Sequence, residues 1–135
     1  GLDRQCRGNE RLDVAAVVNW FGITDVGDLL DGENMKRYAV QWMGSMPNRY
    51  EIAERVSPLS YVRRDLPPVL TIHGDADPTV PYDHAVRLRD ALTEAGVPNQ
   101  LHTVPGGGHG NFSATQYVEA YEVIRAFLKQ HGVGS

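Results

Sequence analysis

Three short apolar runs stand out in the sequence, and helical patterns lie between and after them. The runs are VAAVV at 14–18, VLTIHG from 69 and QLHTVP from 100. The first two lack alternating polar residues, which is typical of strands covered on both faces. Strands that alternate with helices form a parallel sheet through right-handed crossovers. The sequence therefore predicts an α/β fold with three layers, in which helices cover a short parallel sheet of about three strands.

The helical patterns have recognisable ends. One begins next to Pro81, carries its small and aliphatic residues on one face, and stops at Gly96. A second opens on Ser113 and Gln116, which have the spacing of a capping box. Residues 25–57 contain several helical patches between the first two strands. We expect them to form a helical insert, and we expect residues 1–135 to be one domain or part of one.

Composition excludes several classes of protein. The chain has 135 residues, of which 41% are hydrophobic and 22% charged, and its net charge is −4. That charge gives no electrostatic footprint for nucleic acid, and no apolar run approaches the roughly 18 residues of a membrane span. A single cysteine, Cys6, cannot form an internal disulfide or a cysteine cluster. No pair of histidines has convincing metal spacing, and we expect no metal or cofactor. The compartment is left open.

Two loops carry the candidate chemistry, and each follows a predicted strand. HGDADPTVP at 73–81 contains Asp75 and Asp77, and VPGGGHGNFS at 104–113 contains His109. In open parallel sheets, functional residues collect just beyond the carboxyl ends of the strands. A carboxylate there can accept a hydrogen bond from an imidazole, fix its tautomer and stabilise the imidazolium formed during proton transfer. An acid followed by a histidine is also the chain order of α/β-hydrolase triads.

The segments PPVLTIHGDADPTVPYDHAVRLRDAL and PGGGHGNFS resemble the acid and histidine loops of α/β-hydrolase esterases. The resemblance is to the branch of the family that includes feruloyl esterases, acetylxylan esterases and prolyl-oligopeptidase-type domains. It extends over nearly the whole chain, because it also includes the segments VAAVVNWFGITD and SPLSYV. It implies that residues 1–135 are the C-terminal part of an α/β-hydrolase domain, with a partial α/β-hydrolase fold in which residues 25–57 are a lid-like insert. It also implies that Asp77 is the catalytic acid and His109 the catalytic histidine, whereas Asp75 occupies a variable position.

This chain departs from the pattern of that family at the nucleophile. The family's serine lies in a G-x-S-x-G turn, and no such turn occurs here, since neither Ser45 nor Cys6 has glycines at both the −2 and the +2 position. Two hypotheses follow. Either the chain supplies the acid and base of a serine esterase whose nucleophile lies in an N-terminal half, acting on a small-molecule ester, or it is an inactive fragment or oligomeric assembly module. Because the chain starts at Gly1 rather than Met, we expect it to be a piece of a longer or processed protein.

Each candidate also has a structural interpretation. Asp77 could be a turn residue before Pro78, and His109 an ordinary loop histidine. Trp20 and Phe21, after the first strand, could line an acyl pocket or serve core or lid packing. Two further large side chains, Trp42 and Met43, lie in the insert, where they could belong to a lid over the site or serve ordinary helix packing. Other histidines have simpler roles: we expect His73 to be packed and hydrogen-bonded, and we expect surface positions for His84, His102 and His131.

The acid and histidine loops should bring their side chains into contact. A side-chain oxygen of Asp77 should lie about 2.6–3.2 Å from an imidazole nitrogen of His109.

In the intact fold, the strand with the nucleophile would pair beside residues 14–18. Without it, those residues form an apolar edge with no proline or charge inside, which is a template for another chain. We therefore expect a homo-oligomer, most simply a two-fold dimer joined through this edge.

Overall fold

A computed structural model describes residues 13–134, and Cys6 lies outside them. The strands are β1 (Val17–Trp20), β2 (Val69–Gly74) and β3 (Asn99–Val104). The helices are α1 (Arg37–Met43), α2 (Arg49–Arg55), α3 (Asp83–Glu94) and α4 (Ala114–Gln130), with short 3₁₀ turns at Gly27–Leu29 and Pro58–Tyr61. None of the helices in this part of the chain is long and apolar enough to cross a membrane.

The strands form one parallel sheet in the order β1-β2-β3. β2 lies in the centre and all six of its residues are buried. Side chains of a strand alternate between the two faces of the sheet. Val69 accordingly packs with α3 on one face, whereas Leu70 and Ile72 pack with α4 on the other. The predicted α/β class, with a short parallel sheet between helical layers, is confirmed.

The first strand differs from its predicted position at 14–18. It runs over Val17–Trp20, so Asn19 and Trp20 pair with β2 instead of forming a loop. Val17 pairs with Val69, and the two residues before Val69 are prolines, Pro67 and Pro68. The ladder starts at Val17 because these prolines have no N–H to donate to residues before Val17. The carbonyl of Pro68 still accepts the N–H of Val17 at 2.8 Å.

The predicted burial of this strand on both faces is also wrong. Val17 is 38% exposed, Val14 outside the strand is 64% exposed, and the other residues of β1 are only half-buried. The physical reason is position, because β1 is an edge of the sheet with no neighbour on its other side among the described residues.

Residues 25–57 form a helical unit with an apolar cluster of its own. Six residues from α1, α2 and the 3₁₀ turn with its two flanking positions make this cluster: Val26, Leu29, Leu30, Ala39, Met43 and Ala53. Of the two large residues singled out in α1, Met43 is buried in the cluster, but Trp42 is 65% exposed and contributes no packing. The predicted ends of the later helices are confirmed. Gly96 after α3 has φ +75°, and Ser113 with Gln116 forms a capping box on α4.

Candidate active site

Asp77 lies in the loop directly after β2, and its side chain is fully buried. One carboxylate oxygen, Oδ1, accepts the backbone N–H groups of Thr79 at 2.7 Å and Val80 at 3.0 Å. An aspartate that bonds its own backbone two and three residues onward is a common turn element. The turn fixes the carboxylate and leaves the other oxygen, Oδ2, facing the histidine loop.

His109 completes the pair from the loop after β3. Its Nδ1 lies 2.8 Å from Oδ2 of Asp77, within the predicted range. A carboxylate oxygen only accepts, so Nδ1 carries the proton and Nε2 is left to accept one. The imidazole is 36% exposed while its carboxylate partner is buried, which makes the ring accessible from the solvent side only.

Backbone contacts join the acid loop and the histidine loop. The N–H of Ala76 donates to the carbonyl of Gly107 at 3.0 Å. Asp75 is exposed, as expected for a residue with turn or surface contacts, and its Oδ1 accepts the N–H of Gly106 at 2.6 Å. A Cβ on Gly74 would lie 2.1 Å from the carbonyl oxygen of Gly107. The two loops therefore approach so closely that only glycine fits at the end of β2.

The environment of Asp77 favours its charged form. Burial alone would raise the pKa of this carboxyl, but the hydrogen bonds from His109 and from the backbone of Val80 and Thr79 outweigh it and lower the pKa below the ordinary value of 3.8. Asp77 is therefore an anion at neutral pH, positioned against a protonated ring nitrogen of His109.

A cleft of about 400 Å³ lies beside His109. It is lined by Trp20, Phe21, Gly22, Ile23, Tyr38, Thr79, Val80 and His109. The structure thus brings both predicted pocket residues, Trp20 and Phe21, to the same cleft as the histidine. Tyr38 comes from α1 of the insert and was not predicted. Its hydroxyl donates to the carbonyl of Thr79 at 3.0 Å, which ties the insert to the acid loop.

Phe21 has an unusual backbone conformation at the end of β1. Its φ of 37° makes it the one non-glycine residue with positive φ among the described residues. Its N–H donates to the carbonyl of Ile72 at 2.8 Å, and its ring centroid lies 4.5 Å from that of His109. Such backbone strain persists where surrounding contacts enforce it, and it is frequent at functional sites.

The other histidines differ in burial. His73 is completely buried and hydrogen-bonded, as predicted, and His102 and His131 are half-buried. The predicted surface position of His84 is wrong, because its ring is fully buried at the start of α3. Its Nδ1 accepts the N–H of Thr24 at 3.1 Å, a partner in the loop after β1 that the sequence pattern of α3 alone could not reveal.

A second network that sequence reasoning missed surrounds Arg87 on α3. Its guanidinium lies 2.8 Å from Asp25, 3.1 Å from Asp28 and 2.7 Å from Asp83. Asp28 also lies 3.2 Å from Nε2 of His84. This network holds the insert against α3. Within residues 13–134, no three His, Cys, Asp or Glu side chains are arranged so that they could hold a metal ion.

A parallel sheet with an acid after one strand and a histidine after the next is the arrangement of the α/β-hydrolases. Residues 2–92 match the BD-FAE family, and the chain belongs to that family. This range contains Asp77 and ends before the histidine loop.

Similar proteins include hydrolases. Esterase LipQ of Mycobacterium tuberculosis is 28% identical over 134 residues, which covers 93% of this chain and 31% of that protein. A puromycin-hydrolyzing peptidase of M. tuberculosis has a TM-score of 0.73 at 29% identity, covering 88% of this chain and 19% of the other. A butyrate-bound esterase of Thermogutta terrifontis has a TM-score of 0.67 at 26% identity, covering 87% and 44%. The chain thus spans less than half the length of these relatives.

Proposed function

We propose that this chain is the acid- and base-bearing part of a serine-type carboxylic-ester hydrolase, in which Asp77 is the acid and His109 the general base. The observation that carries the proposal is the 2.8 Å contact between Nδ1 of His109 and Oδ2 of Asp77, beside an open cleft. The similarity to esterases supports the same reaction class.

Each residue has a defined role in the proposed reaction. His109 accepts the proton of an attacking hydroxyl at Nε2, because Nδ1 already carries one. The resulting imidazolium is stabilised by the Asp77 carboxylate, which stays ionised. His109 then gives the proton to the leaving alcohol, and a water molecule activated in the same way releases the acyl group.

The nucleophile is proposed to come from a segment outside these 135 residues. The sequence contains no G-x-S-x-G turn, and Ser45 lies in the turn after α1 of the insert instead of at the end of a strand. Cys6 lies outside the described residues. In this proposal the external segment also supplies the backbone donors that bind the oxyanion.

The cleft favours an ester with an apolar or aromatic group. Trp20, Phe21 and Ile23 supply its apolar wall, and the Tyr38 hydroxyl adds a polar group at the insert side. We assign residues 25–57 the role of a lid-like part of the domain, since Tyr38 lines the cleft and contacts the acid loop. Ordinary ester substrates require no cofactor in this mechanism.

A second candidate function is an inactive oligomeric module. The observation that favours it is β1, an edge strand whose Val17 is 38% exposed. An edge of this kind pairs readily with another chain, and that chain could be a second copy or a half that carries the nucleophile.

Two measurements distinguish the two candidate functions: hydrolysis of p-nitrophenyl acetate and labelling by a serine-directed fluorophosphonate. We expect the 135-residue chain to show only a histidine-catalysed background and no labelling. The product of the complete reading frame should hydrolyse the ester and be labelled on one serine. Stoichiometric labelling of a serine in the 135-residue chain would contradict the proposed source of the nucleophile, and an inactive full-length product would favour the assembly module.

A further inference from the structure

A second histidine contacts the same carboxylate oxygen that His109 contacts. His73 is the fifth residue of β2, and its side chain is fully buried. Its Nε2 lies 3.0 Å from the carbonyl oxygen of Val80 and 3.3 Å from Oδ2 of Asp77. Oδ2 therefore lies between two imidazoles, with His109 on the solvent side and His73 on the core side.

The partners of His73 determine which of its nitrogens is protonated. A backbone carbonyl only accepts hydrogen bonds, so Nε2 must carry a hydrogen to bond Val80. The other nitrogen, Nδ1, is buried and has no hydrogen-bond partner among the described residues. A hydrogen on Nδ1 would be buried without an acceptor, which is the more costly arrangement. His73 is therefore neutral with its hydrogen on Nε2, where it bonds the carbonyl of Val80 and lies 3.3 Å from Oδ2 of Asp77.

The ring of His73 has little freedom to leave this position. Tyr82, just before α3, packs against it edge to face with ring centroids 5.9 Å apart. The hydroxyl of Tyr82 is in turn hydrogen-bonded to that of Thr103 on β3, at 2.5 Å. Residues from β2, β3 and the segment before α3 thus hold the imidazole in place.

We propose that His73 is a positioning residue for the Asp77–His109 pair: its single Nε2–H, which bonds the carbonyl of Val80, is shared with Oδ2 of Asp77 and holds that oxygen in line with Nδ1 of His109. The proposal rests on the function proposed above. Two backbone N–H groups fix Oδ1 of the same carboxylate, so His73 supplies the constraint that Oδ2 otherwise lacks on the core side.

The charges around His73 agree with this role. Burial lowers the pKa of His73 below its ordinary value, against the opposing effects of Val80 and the Asp77 carboxylate, and His109 lowers it further. The titratable groups that face it are Asp77 from the acid loop, His109 from the histidine loop and Tyr82 before α3. A neutral donor orients Asp77 without neutralising the charge that His109 needs.

The proposal can be tested without substrate, by reading imidazole tautomers from long-range ¹H–¹⁵N NMR spectra of the chain at pH 7. In the wild type, we expect His73 to be protonated on Nε2 and His109 on Nδ1. His73→Leu removes the donor, so the Nδ1–H form of His109 should lose its dominance and the pKa of Asp77 should rise. His73→Gln keeps an N–H donor and should preserve the Nδ1–H form. His102→Gln, on β3, is the matched control and should change nothing.

Two results would overturn the proposal. One is a wild-type His73 that carries its hydrogen on Nδ1, which decides the question even if His73→Leu fails to fold. The other is a folded His73→Leu chain in which the tautomer of His109 and the titration of Asp77 are both unchanged. Neither result depends on ester hydrolysis, so a failure of the proposed function is recognised separately, by the activity of the full-length product.

Discussion

Nδ1 of His109 and Oδ2 of Asp77 lie 2.8 Å apart, although the two residues are separated by 32 positions in sequence. Both loops extend from adjacent parallel strands, β2 and β3, and backbone hydrogen bonds between the loops fix their distance. The two strands, the two loops and the backbone hydrogen bonds between the loops all lie within residues 69–109. This chain alone forms the pair, and the proposed acid–base catalysis requires such preorganisation.

The two buried histidines should make the stability of the chain pH-dependent. Burial lowers the pKa of His73 and of His84 below 6.5 in the folded state. Below pH 6.5 the unfolded chain therefore binds more protons than the folded chain. The stabilisation is complete above pH 6.5 and is lost as the pH falls from 6.5 through the lower folded values. The slope should reach at most about 1.4 kcal/mol per pH unit for each histidine.

Urea unfolding between pH 5 and pH 8 measures this dependence. A chain with both His73→Gln and His84→Gln should show a flatter profile, whereas His102→Gln should keep the wild-type slope. Equal slopes in the wild type and the double variant would show that these two histidines are not the source of the pH dependence.

The positive φ of Phe21 predicts an unusual order of stability among variants. A φ of 37° strains any residue with a Cβ, by roughly 1–2 kcal/mol. Glycine relieves this strain but loses more chain entropy, by roughly 0.5–1 kcal/mol. Phe21→Gly should therefore be more stable than Phe21→Ala by about 0.5–1 kcal/mol, as measured by urea unfolding. Val18 in β1 has no positive φ and serves as the control, so Val18→Ala should be more stable than Val18→Gly. If Phe21→Ala proved more stable than Phe21→Gly, backbone strain at position 21 would be contradicted.

The edge of β1 predicts self-association of the 135-residue chain. Val14 and Val17 are exposed beside backbone groups with no strand partner among the described residues. We expect a two-fold dimer whose mass, measured by light scattering, depends on concentration. Val17→Lys introduces an edge charge at an exposed position and should shift the chain toward monomer. A wild-type chain that stays monomeric at high micromolar concentration would rule out this association.

Local signals allowed most of the fold to be predicted. β2 and β3 were found because an apolar run between turn residues is distinctive, and α4 because its capping box has a fixed spacing. The start of β1 was missed because two prolines just before its partner strand, not its own residues, determine where pairing begins. Burial of β1 was overestimated because a uniformly apolar run does not distinguish an edge strand from a central one.

The candidate site was predictable only where a motif marked it. Asp77 and His109 were singled out by their loops and their order, and their catalytic roles remain predictions. The burial of His84 and the participation of Tyr38 in the cleft were not predictable, because both depend on contacts between segments far apart in sequence. The role of His73 likewise depends on the direction of one ring nitrogen, which no sequence pattern encodes.

Ester hydrolysis by the Asp77→Asn variant of the full-length product tests the central claim most directly. The amide group would disturb the tautomer of His109 and could not stabilise its imidazolium, and in serine proteases this substitution lowers kcat by about 10⁴-fold. We predict a loss of that order, with Asp90→Asn on the exposed side of α3 as the matched control that keeps wild-type activity. A kcat of Asp77→Asn within a few-fold of the wild type would contradict the assignment of Asp77 and His109 as acid and base.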